Sequence, residues 1–413
     1  MYLKARFYKT ALILSLGFFL ISICLGLFLR LSQVWTISGF NFKNFLHGHS
    51  HITLLGWVFN AFYIAIVRYI LPEEKRTKGY GHLFWITQLA IFASLISFPI
   101  EGYSILSIVF STLFILCSYV FCYWVLVDLK GEKAVYFKFI RWGIYYLVLS
   151  SIGPWSLGAI MNLGLKETIW YPLSIYFYLH FFYNGFFIFS IFGLLLKELK
   201  SVQIDWPGKK ASNIFLWMNL ACAPSFLLSV LWIEPSKWVY IVAFLAALAQ
   251  LWACILLFSL MRPYLSHFKQ ALHTIGRFLF KIAISAYILK VLLQLLSAIP
   301  LVASLIYSIK SYLVIGYIHL VMIGVISCFL LGYFCFKHLF IRSGLSRLGI
   351  TLFAFGFIAS ECLLFGQGTL QMFHFGMIDQ FYNYLFIFSA IMPLGILLFS
   401  IEQWRHNTNL NTK

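Results

Sequence analysis

The chain has 413 residues, 62% of them hydrophobic and only 10% charged, with a mean hydropathy of +0.91. This is far from the makeup of a soluble domain, which averages about 45–50% apolar residues. The net charge of +18 suggests nucleic acid at first sight, but the basic residues sit in short segments between apolar runs, so nucleic acid is excluded as a partner.

Runs of about 20 apolar residues, enough to cross a bilayer, lie near 10–31, 50–71, 82–100, 103–127, 140–162, 172–196, 213–232, 238–261, 276–298, 311–336, 346–366 and 380–401. They predict an all-α, polytopic membrane protein with twelve transmembrane helices in a single membrane domain over 1–413. The first run is too long for a signal-peptide core and lacks an A-x-A-like exit, so it is expected to be retained. With the N-terminus in the cytoplasm, cytoplasmic segments collect 23 of the 30 Lys and Arg residues and the outer side only five. That asymmetry predicts that both termini are cytoplasmic and that the protein is multi-pass in the cell inner membrane, with anionic membrane lipid facing the basic loops. The eight cysteines lie almost entirely within the apolar runs and form no C-x-x-C, so they read as small buried hydrophobes. No internal repeat is evident.

Taken along the chain, polar residues interrupt these runs at few places. The second run opens FLHGHSHITLLGWVFNAFY with His47, His49 and His51, the third closes FPIEGYS with Glu101, and the sixth contains HFFYNG with His180 and Asn184. The ninth contains YILKVLLQLLSAIP with Lys290 and Gln294 one turn apart, the tenth reads SYLVIGYIHLVMIG with Tyr317 and His319, and the eleventh carries Glu361 in ASECLLFGQG. At 1.5 Å per residue His180 and His319 lie about 12–14 Å below the outer surface, with His51 somewhat shallower. Ionisable groups at such depth face a bundle interior or a cavity, so a polar chamber in the outer half is expected. Each residue also has an ordinary role to weigh: interhelical hydrogen bonding for His180 and His319, the wet interface for His47, His49 and Glu101, and pairing or snorkelling for Lys290. Lys290 is expected to pair with Glu361 or to hold a haem propionate, because an unpaired charge at its depth costs about 3 kcal/mol or more. Spacing limits HGHSH: on a helix His47 and His51 are about 400° apart and share a face, while His49 points away. All three meet one metal only if the backbone is extended or kinked there, whereas one histidine suffices for an axial bond to a haem.

Histidines on the second, sixth and tenth of twelve helices, all toward the outer face, resemble the catalytic subunit of the haem-copper oxidase superfamily, which includes the nitric oxide reductases. The stretch from His51 to the proline-acidic turn LPEE, HFFYNG from His180 with Asn184 in place of an acid, and HLVMIG from His319 are similar to motifs of that family. The resemblance implies that His51 and His319 are the axial ligands of one low-spin haem b, and that His180, with His47 as a candidate partner, retains a place for copper. Two departures imply that the binuclear centre reducing dioxygen or nitric oxide is missing: Tyr317 stands where the high-spin haem ligand is expected, and 212–238 contains no histidine. HGHSHITLLGW is also similar to the H-x-H-x-x-x-x-G stretch of NnrS-type haem and copper membrane proteins linked to nitric oxide stress, in which His49 and His51 would be the matching pair.

The leading expectation is therefore a degenerate member of this superfamily, a haem-binding protein for electron transfer or for a nitric oxide or respiratory-stress response, served by an electron donor or respiratory-chain partner. Whether it turns over a substrate is left open. The alternatives are a secondary transporter using Lys290, Glu361, Glu101 and His180, or a membrane assembly factor. The transporter reading is weakened by the lack of a Gly/Pro-broken helix pair in the sequence.

Overall fold

The computed structural model describes residues 3–201, 208–266, 270, 272–308 and 310–409, and all regular structure among them is helical. Twelve helices are long and apolar enough to span a membrane: α1 (Ala5–Val34), α2 (Phe42–Ile70), α3 (Lys78–Glu101), α4 (Ile105–Asp128), α5 (Val135–Asn162), α6 (Trp170–Lys200), α7 (Gly208–Ile233), α8 (Lys237–Tyr264), α9 (Thr274–Ser297), α10 (Tyr312–Phe336), α11 (Gly344–Met372) and α12 (Phe381–Arg405). Each apolar run of the sequence falls on one of them. The chain is an all-α, polytopic membrane protein.

The helices group into two compact units. The first comprises Met1–Phe121, His273–Phe280 and Ser327–Lys413, and the second Cys122–Leu272 and Lys281–Ile326. Three of the four boundaries fall inside α4, α9 and α10 rather than in linkers, so nothing in composition marks them.

In the first unit α11 and α12 approach closely at Gly349 and Gly395, where a Cβ on Gly349 would lie 2.6 Å from the Gly395 carbonyl oxygen. Small residues let membrane helices gain packing that lipid does not offer. Elsewhere in this unit some buried polar groups are paired: Trp57 Nε1 donates to Ser327 Oγ at 2.9 Å, and the Asn60 and Gln88 amides donate to each other at 2.8 and 3.2 Å. Reciprocal pairing satisfies both amides without water, as burial requires.

Three helices share an irregularity that the sequence did not disclose. In α2 an α-helical segment ends at His51 and a π-helical one follows over Ile52–Phe59. In α6 the α segment ends at His180 and π-helix follows over Phe181–Phe187, and the α segment Lys310–His319, which starts two residues before the α10 span, ends before Leu320–Ser327. The α segments are 10, 11 and 10 residues long, so each histidine stands about 15 Å along its own helix. A repeat is therefore present in backbone geometry. It was invisible as sequence because the π segments ITLLGWVF, FFYNGFF and LVMIGVIS share hydrophobicity but little identity. π-Turns are rare and concentrate at functional sites.

In the second unit α7 is broken. Its α-helix stops at Cys222 and continues as 3₁₀ turns over Pro224–Ser229 and Leu231–Ile233. Pro224 is the physical cause, since it has no N–H for the ladder and clashes with the preceding turn.

Candidate functional site

The helix carrying HGHSH begins two turns earlier than the apolar run indicates. Asn41 caps it, its side-chain oxygen accepting the Asn44 N–H at 3.2 Å, a start signal that the run boundary near residue 50 overlooked. HGHSH is thus helical rather than extended, and its histidines take two faces. His47 and His51 both meet the end of α3: the His51 ring stacks on Phe98 at 4.1 Å and 13°, and the His47 ring meets Tyr103 edge-on at 4.7 Å. His49 turns the other way, onto α1. A single metal ion held by all three is incompatible with this geometry.

His49 is the histidine whose ring is oriented by a hydrogen bond. Its Nδ1 lies 2.7 Å from the Ser22 carbonyl oxygen, and since a carbonyl only accepts, Nδ1 carries the proton. Nε2 is then the unprotonated nitrogen, with its lone pair not used by any hydrogen bond among the described residues. The ring lies where only glycine leaves room, for a Cβ on Gly26 would stand 2.9 Å from His49 Cε1. A proton donated to a backbone carbonyl by one nitrogen, with the other left free, is the usual arrangement of a metal-ligating imidazole. His51 has no hydrogen bond among the described residues, and Nε2 of His47 is buried without a partner. Arg30, on the same face of α1 as Gly26, is coupled electrostatically both to His49 and to Glu361 of α11. In the sequence Arg30 is one of the five basic residues expected on the outer side.

His180 differs in both nitrogens. Nε2 donates to the Cys222 carbonyl oxygen at 2.8 Å, and Nδ1 accepts from Asn184 Nδ2 at 3.3 Å. The Cys222 carbonyl is available because of the break at Pro224: the Phe226 N–H that would close on it in a continuing α-helix bonds to Ala223 at 3.1 Å instead. Ser225 Oγ supplies its second donor at 2.9 Å. His180 therefore repairs a broken helix, and no lone pair remains on it for copper. Among the described residues no group of three or more His, Cys, Asp or Glu side chains is arranged to hold a metal ion, so the copper expected at His180 and His47 does not fit the residues present.

The other sequence candidates scatter. His319, half-buried in the second unit, ends the α-helical part of α10, with Tyr317 two residues before it and also half-buried. Glu101 is exposed at the last residue of α3. Lys290 is 1% exposed and donates to Gln250 Oε1 of α8 at 3.2 Å, with its ammonium 5.6 Å from the centre of the Tyr287 ring. The expected pairing with Glu361 left Gln250 out of account, because a neutral amide within an otherwise apolar run carries no sequence signal for a lysine partner. A cavity of about 390 Å³ in the first unit is lined by Gln33, Val34 and residues 377–383, none of them a sequence candidate. No protein-family model and no curated protein matches this chain.

Proposed function

We propose that this is a membrane haem protein for one-electron transfer, with His49 as the helix-α2 ligand. The observation that carries the reading is the His49 arrangement: a proton fixed on Nδ1 by Ser22, an open Nε2, and a glycine at position 26 that makes room for the ring. The family resemblance supplies His319 as the second axial ligand. For the α2 ligand the resemblance points to His51, with His49 as the alternative, and the hydrogen bond to Ser22 favours His49 instead. An iron with two imidazoles has no open position, so the chemistry it supplies is exchange of an electron, at a potential set by burial and by hydrogen bonds to its ligands. This chain's own contributions would be the fixed tautomer of His49, the orientation of its ring, and the positive charge of Arg30 near it. A positive charge favours the reduced state of a nearby redox centre and so raises its potential.

On the charge distribution we place both termini in the cytoplasm and the protein in the cell inner membrane. An electron donor or respiratory-chain partner, and a role under nitric oxide or respiratory stress, follow from the resemblance alone. The absorption spectrum of membrane-extracted protein tests the proposal: we expect one low-spin b-type haem per chain, lost in His49→Ala and His319→Ala and kept in His51→Ala. Protein without a Soret band after expression with ample haem supply would refute it.

A further inference from the structure

Lys290 has a second set of neighbours that the haem reading does not use. An ammonium has three N–H donors, and among the described residues Lys290 uses one, on Gln250 Oε1 at 3.2 Å. The ionisable groups that feel its charge are Cys222, Cys254 and His180, none of them a carboxylate. A buried cation without an anion nearby is a large electrostatic deficit. Two acceptors in the same unit show the opposite deficit. Gln294, one turn further along α9 on the Lys290 side and 7% exposed, has a buried Oε1 without a partner, and Asn184, whose amide nitrogen is spent on His180, has a buried Oδ1 without one. Unmatched donors on Lys290 and an unmatched amide oxygen on Gln294, one turn away on the same face, call for one kind of occupant: a group that carries negative charge toward the ammonium and an O–H toward the amide oxygen.

We propose that Lys290, Gln250 and Gln294 form a binding site for a small monovalent oxyanion that still carries a proton, of the size and shape of bicarbonate. Halide or nitrate neutralises Lys290 but has no donor for Gln294 Oε1. Water satisfies the amide oxygen but leaves the charge unneutralised. A protonated oxyanion does both. The site lies within the second unit and does not depend on haem at His49.

Bicarbonate and nitrate make a discriminating pair of probes, since both are planar, monovalent and nearly equal in size, while only bicarbonate has an O–H. Thermal unfolding of the detergent-solubilised full chain is followed at constant pH and sodium concentration while each anion replaces gluconate. A ligand that binds only the folded state raises the midpoint saturably. The expected result is a rise with bicarbonate that clearly exceeds the rise with nitrate. Gln294→Leu should erase the difference between the two anions, and Lys290→Met should erase both responses. The same bicarbonate response is expected in His49→Ala protein, so failure of the haem reading leaves this test intact. Equal responses to nitrate and bicarbonate, no response to either, or a full response in Lys290→Met would each overturn the proposal. Should Lys290→Met fail to give monodisperse protein, ¹³C-bicarbonate NMR on wild type decides: saturable line broadening that Gln294→Leu weakens supports the site, and its absence refutes it.

Discussion

His49, half-buried, and His180, buried, are both held by a backbone carbonyl of a neighbouring helix, and the two carbonyls differ in what they lack. Ser22 sits in an unbroken stretch of α1 and offers His49 a second lone pair on an oxygen that the helix ladder already uses. Cys222 sits at the end of the α-helical part of α7, where Pro224 has interrupted the ladder, and its carbonyl accepts a hydrogen bond from His180 Nε2 in place of the one that was lost. Asn184 then covers the remaining nitrogen of His180. One histidine is oriented and left with a lone pair; the other is consumed. Residue type and depth alone do not assign a membrane histidine a function, since the deciding quantity is the number of nitrogens already engaged.

The strongest way to break this contrast is to remove each ring. His49→Ala is expected to eliminate the low-spin haem spectrum, whereas His180→Ala should retain haem content and lose stability. The loss should be about 1–3 kcal/mol, the cost of leaving the buried Cys222 carbonyl short of a donor. Spectra and thermal unfolding of the two variants side by side decide it, and haem lost from His180→Ala alone would reverse the assignment. A subtler perturbation acts through the cradle. Gly26→Ala sets a Cβ 2.9 Å from His49 Cε1, so the ring must move and its bond to Ser22 must lengthen. Lost outer support of this kind weakens ligation by about 10–100-fold, measurable as haem dissociation during dilution. Gly17→Ala on the same helix, where a Cβ meets nothing within 4 Å, should leave haem affinity unchanged. On the other side of the comparison, Asn184→Leu removes the donor to His180 Nδ1. It should cost stability of about 1 kcal/mol with no spectral change.

How far the sequence reached follows the same line. Twelve spans were legible because bilayer thickness imposes a length and lipid imposes a composition, and both are local properties of the chain. The opposed faces of HGHSH were legible from helical phase once the segment was taken as helix, which the Asn41 cap decides. The α-to-π switches after His51, His180 and His319 were not legible, since one extra residue per turn leaves the same hydrophobic composition. Nor were the engagements of His180, which depend on Pro224 breaking α7 some 40 residues away, or of Lys290, whose acceptor Gln250 lies in another helix. Residue identity announced that polar groups are buried. It did not announce which of them meet.

A third histidine sharpens the comparison at its weak end. His273 lies outside the membrane spans, at the start of α9, where its carbonyl accepts the Arg277 N–H at 2.9 Å and its Nδ1 is buried without a partner. Desolvation, followed by the charges of Arg342, Arg347 and Arg277, holds its pKa below the ordinary 6.5, and the helix N-terminus also opposes a positive ring. The folded state therefore binds a proton less readily than the unfolded state. Where the unfolded chain binds more protons, stability rises with pH. The contribution of His273 is thus complete above about 6.5 and declines as pH falls through the window between that value and the lower folded one. His273→Gln should flatten the unfolding midpoint across this window, leaving values above it unchanged, in thermal scans from neutral to mildly acid pH. The effect should be the smallest of those considered, because only one group titrates. His49 and His180 lie inside the membrane spans, away from bulk water, so His49→Ala and His180→Ala should shift the midpoint by the same amount at both ends of the window. A pH slope that survives in His273→Gln and disappears in His180→Ala would mean that the His180 ring takes up a proton and that its bond to Cys222 opens, making it a second histidine with a nitrogen to offer.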